Sequence, residues 1–350
     1  MRKLKLGITI GDVNGIGPEV IIRTLNDKRI SDRFIPIIYG SSKVISYYRN
    51  VVEAKEFNTS YFEGFQKMYP GKIYVKNCWE NKVDINIGKP TEDGGKFAQF
   101  ALLEAVKDAK AGNLDGIITA PINKHAMQLS GFKFPGHTEY FADAFEIKES
   151  LMMMVSDSLK VALVTNHLPV KDIPTHLTKE KIKTKLKLLI KTLQVDFGID
   201  KPNIAILGLN PHAGDNGTIG NEEIDIIRPV IVEAKHNNIV VSGPYPADGF
   251  FGSGQFKKFD AILAMYHDQG LIPFKTLSFG NGVNFTAGLP IVRTSPDHGT
   301  AYDLVGTGTA DISSFRNAIF LALDVARNNR DYAEMNKDPL RKKPKLTEHS

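Results

Sequence analysis

Only one cysteine, Cys78, occurs in the 350 residues. An intrachain disulfide is therefore impossible, and so is a cysteine-based metal cluster. No run of about 18 uncharged apolar residues exists, so no membrane-spanning helix is expected. The start, MRKLKLGITIGD, passes directly into alternating Lys3, Leu4, Lys5 and Leu6. It lacks the continuous apolar stretch and small-residue cleavage site of a secretory signal, which predicts a cytoplasmic protein. The first turn, GDVNGIGPE, carries Gly11, Gly15 and Gly17, a spacing that is not the GxGxxG dinucleotide fingerprint. Two basic runs, one from Lys179 to Lys191 and one from Arg341 to Lys345, have no interleaved aromatic residues. They read as solvated surface rather than a nucleic-acid footprint. Internal repeats, low-complexity tracts and Pro/Ser linkers are also missing.

What is present is an ordinary globular composition, 42% hydrophobic and 24% charged with a net charge of +5, long enough for a sizeable core. Strands and helices alternate almost from the first residue, an α/β pattern of mostly parallel strands with covering helices. LKLGITIG, FIPIIYG, KIYVKNC, DGIITAP, LKVALVT, NIAILGL, IVVSG and DAILAMY read as strands. LMMMVSDSLKVALV predicts one antiparallel hairpin. Pro18 suits a helix start. Phe97, Phe100, Ala101, Leu103, Ala105 and Val106 form a helical stripe closed by Gly112. The last helix, SSFRNAIFLALDVARN, can be capped by Ser313 or Ser314, and residues 336–350 are expected to fray.

Compact polar signatures recur where strands end: Asp12 and Asn14, Asn123 and Lys124, Asn166 and His167, Asn210 and His212, His267 and Asp268. In open α/β sheets ligands sit beyond the carboxyl ends of strands, so these signatures predict one large site drawn from much of the chain. Four groups stand out. His167, His212 and His267 each follow an apolar strand. Taken singly each is most simply a hydrogen-bonded loop histidine; as a set they could be three imidazoles on a catalytic metal. Asp248 and Asp268 are then candidates to orient them. In PGHTEYFADAF, His137 and Thr138 open a helix, where free N–H groups favour an anion, although simple capping by Thr138 with Glu139 in the first turn explains the motif equally well. Lys275, Asn284 and Arg293 lie in otherwise apolar segments. They are either surface residues with packed stems or a clamp for phosphate or carboxylate. Finally SPDHGTAYDLVGTGTAD is a Gly- and Thr-rich loop that could wrap a dinucleotide or be a long turn.

Together ITIGDVNGIGPE, TAPINKHAM, FPGHTEYFA, GLNPHAGDNGTIGNEE, GPYPAD, AMYHDQGLIPFK, GVNFTAGLPIVRTSPDHGTAYDL and GTGTAD resemble, in order and from residue 8 to residue 311, the signature segments of the 4-hydroxythreonine-4-phosphate dehydrogenase family. That resemblance implies a two-lobed α/β/α fold like that of isocitrate and isopropylmalate dehydrogenases, which bind NAD without the GxGxxG fingerprint. It implies an NAD-binding lobe of residues 1–120 plus 285–350, and a lobe of residues 121–284 for metal, substrate and dimerisation. It assigns His167, His212 and His267 to a divalent metal (zinc, magnesium or cobalt), and His137, Thr138, Lys275, Asn284 and Arg293 to the substrate. His298, Gly299, Thr300 and Asp311 fall to NAD or NADP. Lys275, Asp248 and Asp268 are the candidates for proton transfer and imidazole orientation. It also implies a homodimer with a shared site, His167 and His212 coming from one subunit and His267 from the other. The implied reaction oxidises 4-phosphohydroxy-L-threonine to a 3-keto acid, which decarboxylates to 3-amino-1-hydroxyacetone phosphate in pyridoxine phosphate biosynthesis. Val13 and Asn14 stand where the family commonly has Pro and Ala, and Gly249 where it commonly has Thr. A sister enzyme acting on phosphothreonate or phosphoerythronate, and a non-redox acyl- or phosphotransferase, are the alternatives.

Overall fold

The computed structural model describes residues 2–338. Twelve strands form one sheet. They are β1 (Lys5–Thr9), β2 (Ile35–Gly40), β3 (Ser60–Tyr61), β4 (Tyr74–Asn77), β5 (Gly116–Thr119), β6 (Leu151–Val155), β7 (Lys160–Leu163), β8 (Ile204–Leu207), β9 (Val241–Tyr245), β10 (Ala261–Ala264), β11 (Val283–Ala287) and β12 (Val292–Pro296). Their order across the sheet is β3-β4-β2-β1-β5-β12-β11-β6-β7-β10-β8-β9. The α/β class expected from the alternating pattern is the one found, and all eight apolar runs read as strands are strands. So is the hairpin: β6 pairs antiparallel with β7, Met153 opposite Ala162.

The pairing divides the sheet into two parallel blocks that run in opposite directions. β12 is parallel to β5, β11 is antiparallel to β12, β6 is antiparallel to β11, and β7 is antiparallel to β6. The carboxyl ends of β1, β5 and β12 therefore lie at the opposite sheet edge from those of β7, β10 and β8. The polar signatures at strand ends therefore fall at two opposite sheet edges, and a single site that draws on both must lie over the face of the sheet. Strand direction is a tertiary property that local sequence does not carry. The joint between the blocks is β12-β11-β6, and side chains two apart on each strand share a face. Ser295, Asn284 and Met154 stand in one cross-strand row, with Thr286 opposite Met152 one step along.

The core confirms most of the helical stripe. In the helix Glu92–Lys110, Phe97, Ala101, Ala105 and Val106 are buried, but Leu102 belongs to the core and Leu103 is 53% exposed. Pro18 sits in the first turn of the helix Gly17–Leu25. The serine cap of the last helix, Ser313–Met335, is not used: the N-cap position is Ile312, with no side-chain capping bond. Asp311 Oδ1 instead accepts from Ser313 N–H at 2.8 Å, while Ser314 Oγ donates to the Gly282 carbonyl and accepts from Asp297 N–H. The basic helix Lys179–Val195 is not uniformly solvated either. Lys185 is buried, with its Nζ 2.7 Å from Glu149 and 2.6 Å from the Ser150 carbonyl. The expected fraying of 336–350 falls, beyond residue 338, outside the described residues. No helix among the described residues is long and apolar enough to cross a membrane.

Candidate active site

A cavity of about 410 Å³ lies over the polar face of the central strands. Its floor explains why β11 and β12 alternate in polarity: Val283, Phe285 and Val292 face the core, whereas Asn284, Arg293 and Ser295 line the cavity. Arg293 is 1% exposed. Its Nη2 donates to Thr119 Oγ1 at 2.7 Å, and its Nη1 to Thr286 Oγ1 at 3.1 Å and Asn284 Oδ1 at 3.3 Å. The guanidinium lies 5.8 Å from the centre of the Phe141 ring. Burial lowers its pKa to about 9, opposed by the Glu139 carboxylate, so the group stays charged at neutral pH. Its Nε is buried without a partner.

The helix His137–Ala144 closes one wall, entered through the extended backbone of Gly136. Thr138 does not cap this helix; its hydroxyl meets Thr286 Oγ1 of β11 at 3.3 Å. Burial, reinforced by the nearby Arg293 charge, holds His137 well below the usual imidazole pKa, so it is neutral. Its Nε2 is buried and unpartnered. Two unsatisfied buried nitrogens beside one guanidinium are an expensive arrangement for a protein that binds nothing there.

The opposite wall carries imidazoles. β7 and β10 are parallel neighbours with Leu163 opposite Ala264, so the residues just past them emerge side by side. The ring centroids of His167 and His267 are 5.7 Å apart. His167 Nδ1 is 3.3 Å from Glu139 Oε1, and His267 Nδ1 is 2.7 Å from Asp268 Oδ1. Lys275 reaches the cavity from the helix His267–Leu277, and Asp297, His298 and Gly299 line it beyond β12. Asp297 is raised by burial, with the Lys275 and His298 charges opposing.

All five residues expected to bind substrate, His137, Thr138, Lys275, Asn284 and Arg293, thus border one cavity, with His167, His267, His298 and Gly299. The others lie elsewhere. Thr300 is buried, its carbonyl accepting from Ile16 N–H and its side chain against Gly15. Asp311 is engaged at the start of the last helix, and Asp248 is exposed in the first turn of the helix Ala247–Gly252. His212 is exposed in the turn Pro211–Gly217 and does not line this cavity. The neighbour of His167 within the chain is therefore His267, not His212. Among the described residues no group of three His, Cys, Asp or Glu side chains is arranged to hold a metal ion.

The turn that bears His212 is unusual. His212, Ala213, Asp215 and Asn216 all have left-handed backbone, with φ of 53, 51, 42 and 53°. Such conformations cost free energy in non-glycine residues and persist only when held from outside. Glu223, 1% exposed, does the holding: its carboxylate accepts from Leu209 N–H at 2.6 Å and Asn210 N–H at 2.7 Å. Sequence reasoning missed Thr119, Thr286 and Glu139 as site residues. Glu139 reads as a first-turn helix acid, but the alternation of Asn284 with Thr286 was a visible clue to a strand with a polar face.

The family described as pyridoxal phosphate biosynthetic protein PdxA matches residues 32–322 of this chain. 4-Hydroxythreonine-4-phosphate dehydrogenase of Bacteroides thetaiotaomicron is 48% identical over 342 residues, 97% of this chain and 94% of that protein. The chain belongs to this family. The crystal structure of the 4-hydroxythreonine-4-phosphate dehydrogenase from Klebsiella pneumoniae superposes with a TM-score of 0.79 at 34% identity, covering 93% of this chain and 98% of that one. A terephthalate 1,2-cis-dihydrodiol dehydrogenase from Burkholderia xenovorans follows at a TM-score of 0.63 and 25% identity, covering 92% and 98%. The chain is a dehydrogenase, and the alternative of a non-redox transferase falls.

Proposed function

We propose that this enzyme uses NAD or NADP to oxidise 4-phosphohydroxy-L-threonine at its hydroxyl-bearing carbon. The 3-keto acid so formed then loses carbon dioxide to give 3-amino-1-hydroxyacetone phosphate. The observation that carries the reading is the buried Arg293 with its unpartnered Nε beside the unpartnered Nε2 of neutral His137. An oxyanion is the ligand that both nitrogens and the adjoining hydroxyls can satisfy, and a planar guanidinium suits phosphate.

The imidazole pair fits a divalent ion. Each Nδ1 faces a carboxylate, Glu139 or Asp268, the arrangement that fixes a ligating imidazole and leaves Nε2 free. Metal–nitrogen bonds of about 2.0–2.1 Å on one ion put two ring centres roughly 5 Å apart, close to the separation seen. A third imidazole completes such a set, and we assign it to His212 of the partner subunit in a homodimer, because the strained turn presents His212 outward. An ion held there would lower the pKa of a bound hydroxyl and polarise a ketone, and the nicotinamide would take the hydride.

The chain's own groups do the rest. Arg293, Asn284, Thr138 and His137 fix the anionic end of the substrate and so its orientation. Lys275, with Asp297 in its field, is placed to exchange a proton with the substrate. His298 and Gly299 are placed to contact the dinucleotide. An assay of NADH formation with 4-phosphohydroxythreonine, with and without chelator, tests the proposal; phosphothreonate run in parallel tests the finer substrate choice. Equal rates in excess chelator would remove the metal, and no NADH with either acid would remove the substrate class.

A further inference from the structure

Glu139 belongs to neither group of residues that the sequence singles out, yet it stands between them. It occupies the first turn of the helix that also carries His137 and Thr138. One carboxylate oxygen, Oε1, is 3.3 Å from His167 Nδ1 on the imidazole wall. The other, Oε2, is buried with no partner. The carboxylate also acts on the Arg293 guanidinium, opposing the effect of its burial. Lys124, at the cavity edge, adds a further favourable charge. Gly136 lies close by: a Cβ there would come 3.3 Å from Glu139 Oε2.

The geometry points to Glu139 as a positioning residue that sets the tautomer and orientation of His167 from the same helix that grips the substrate anion. By accepting a hydrogen bond from Nδ1–H, the carboxylate leaves Nε2 as the lone-pair end of the ring. A free imidazole has no such bias built in, and a carboxylate beside a ligating histidine fixes both the ring's rotation and its basicity. Because His137, Thr138 and Glu139 are consecutive, any shift of the helix that adjusts the anion clamp moves the support of His167 with it. The two walls of the cavity are thereby tied together through one side chain. This rests on the metal reading only for its consequence; the tautomer is a property of the chain alone.

Two substitutions separate the role from mere packing. Glu139→Gln keeps the shape and an acceptor oxygen but not the charge, and Glu139→Ala removes both. In the metal-free protein, nitrogen NMR of His167 should report a proton on Nδ1 in wild type and in Glu139→Gln, and a shift toward the Nε2-protonated form in Glu139→Ala. Cobalt binding to the metal-free protein should weaken about 10- to 100-fold in Glu139→Ala, the usual loss when a carboxylate behind a ligand is removed, and much less in Glu139→Gln. In steady state, kcat should fall more than KM for the phosphorylated substrate rises. A purely structural role would lower thermal stability in both variants and leave the tautomer unchanged. An unchanged His167 tautomer in Glu139→Ala overturns the assignment whatever the metal does. His167→Ala serves as the reference: if it binds cobalt like wild type, the metal reading fails, while the tautomer result still decides the role of Glu139.

Discussion

Around Arg293, Thr119, Thr138 and Thr286 are buried and His137 and Asn284 half-buried, whereas the imidazoles stand at a rim, with the side chains of His167 and His267 38% and 36% exposed. The anion side is assembled within one chain: three strands supply Thr119, Asn284, Thr286 and Arg293, and one helix supplies His137 and Thr138. Thr119, Thr138, Asn284, Thr286 and Arg293 are fixed by backbone register or by a hydrogen bond to another of them. On the metal reading proposed above, the imidazole side has two ligands in one chain, and the third candidate, His212, sits exposed on a strained, well-braced turn. A buried ionised group needs partners, and Arg293 has them at Nη1 and Nη2 but not at Nε. A metal ligand at a rim can wait for a second surface. With His212 assigned to a partner subunit as proposed, the site divides into a half built within one chain and a half that a two-fold interface would complete.

The largest effect expected from attacking this division is at the unfinished half. His212→Ala should remove nearly all activity while leaving thermal unfolding within about 1 kcal/mol of wild type, as befits an exposed side chain. Calorimetry beside the NADH assay checks both; a substantial loss of stability would mean that His212 is structural in its own chain. Next comes Arg293→Lys, at the finished half. An ammonium cannot reproduce the guanidinium fork, and a bond to a charged group is worth about 1.5–3 kcal/mol. The ratio kcat/KM should fall roughly 10- to 150-fold, and unchanged kinetics for the phosphorylated substrate would make Arg293 a packing residue.

The smallest effect is a pH dependence that the buried half should show through His137. Its folded pKa is depressed by burial and by the Arg293 charge, so the unfolded chain takes up a proton that the folded chain refuses. The associated stability is fully present above the unfolded value, about 6.5, and is lost as pH falls below it. The loss runs at up to ~1.4 kcal/mol per pH unit. His137→Gln should flatten denaturant-derived stability against pH between about 6.5 and 5. An equal slope in variant and wild type would show that His137 charges freely in the folded protein.

Much of this was readable beforehand. The long apolar runs betrayed their strands, and the family resemblance named five candidate substrate residues that the structure gathers round one cavity. What escaped has several causes. β11 and β12 were not read as strands because Asn284, Thr286, Arg293 and Ser295 interrupt the apolar run, although their period of two is that of a half-buried strand. Leu102 and Leu103 were exchanged because adjacent leucines leave the phase of a helix open by one residue. The pairing of His167 with His267 instead of His212 depends on which strands are neighbours, β7 beside β10, and sheet order is not written in local pattern. Glu139 was hidden by a simpler explanation, helix capping, that sufficed until its neighbours were known.

Subunit complementation measures the central division directly. Each single variant, His167→Ala, His212→Ala and His267→Ala, is expected to be nearly inactive as a homodimer. If one chain supplies His167 and His267 and the other supplies His212, a mixed dimer of His167→Ala with His212→Ala has one site with both lesions and one with none. Random exchange makes about half the dimers mixed, so about a quarter of wild-type activity should return. Mixing His167→Ala with His267→Ala should return nothing, since every site then keeps one lesion. Recovery in the second mixture and not the first, with exchange verified by a mass-tagged subunit, would contradict the account and split His167 from His267 across the interface.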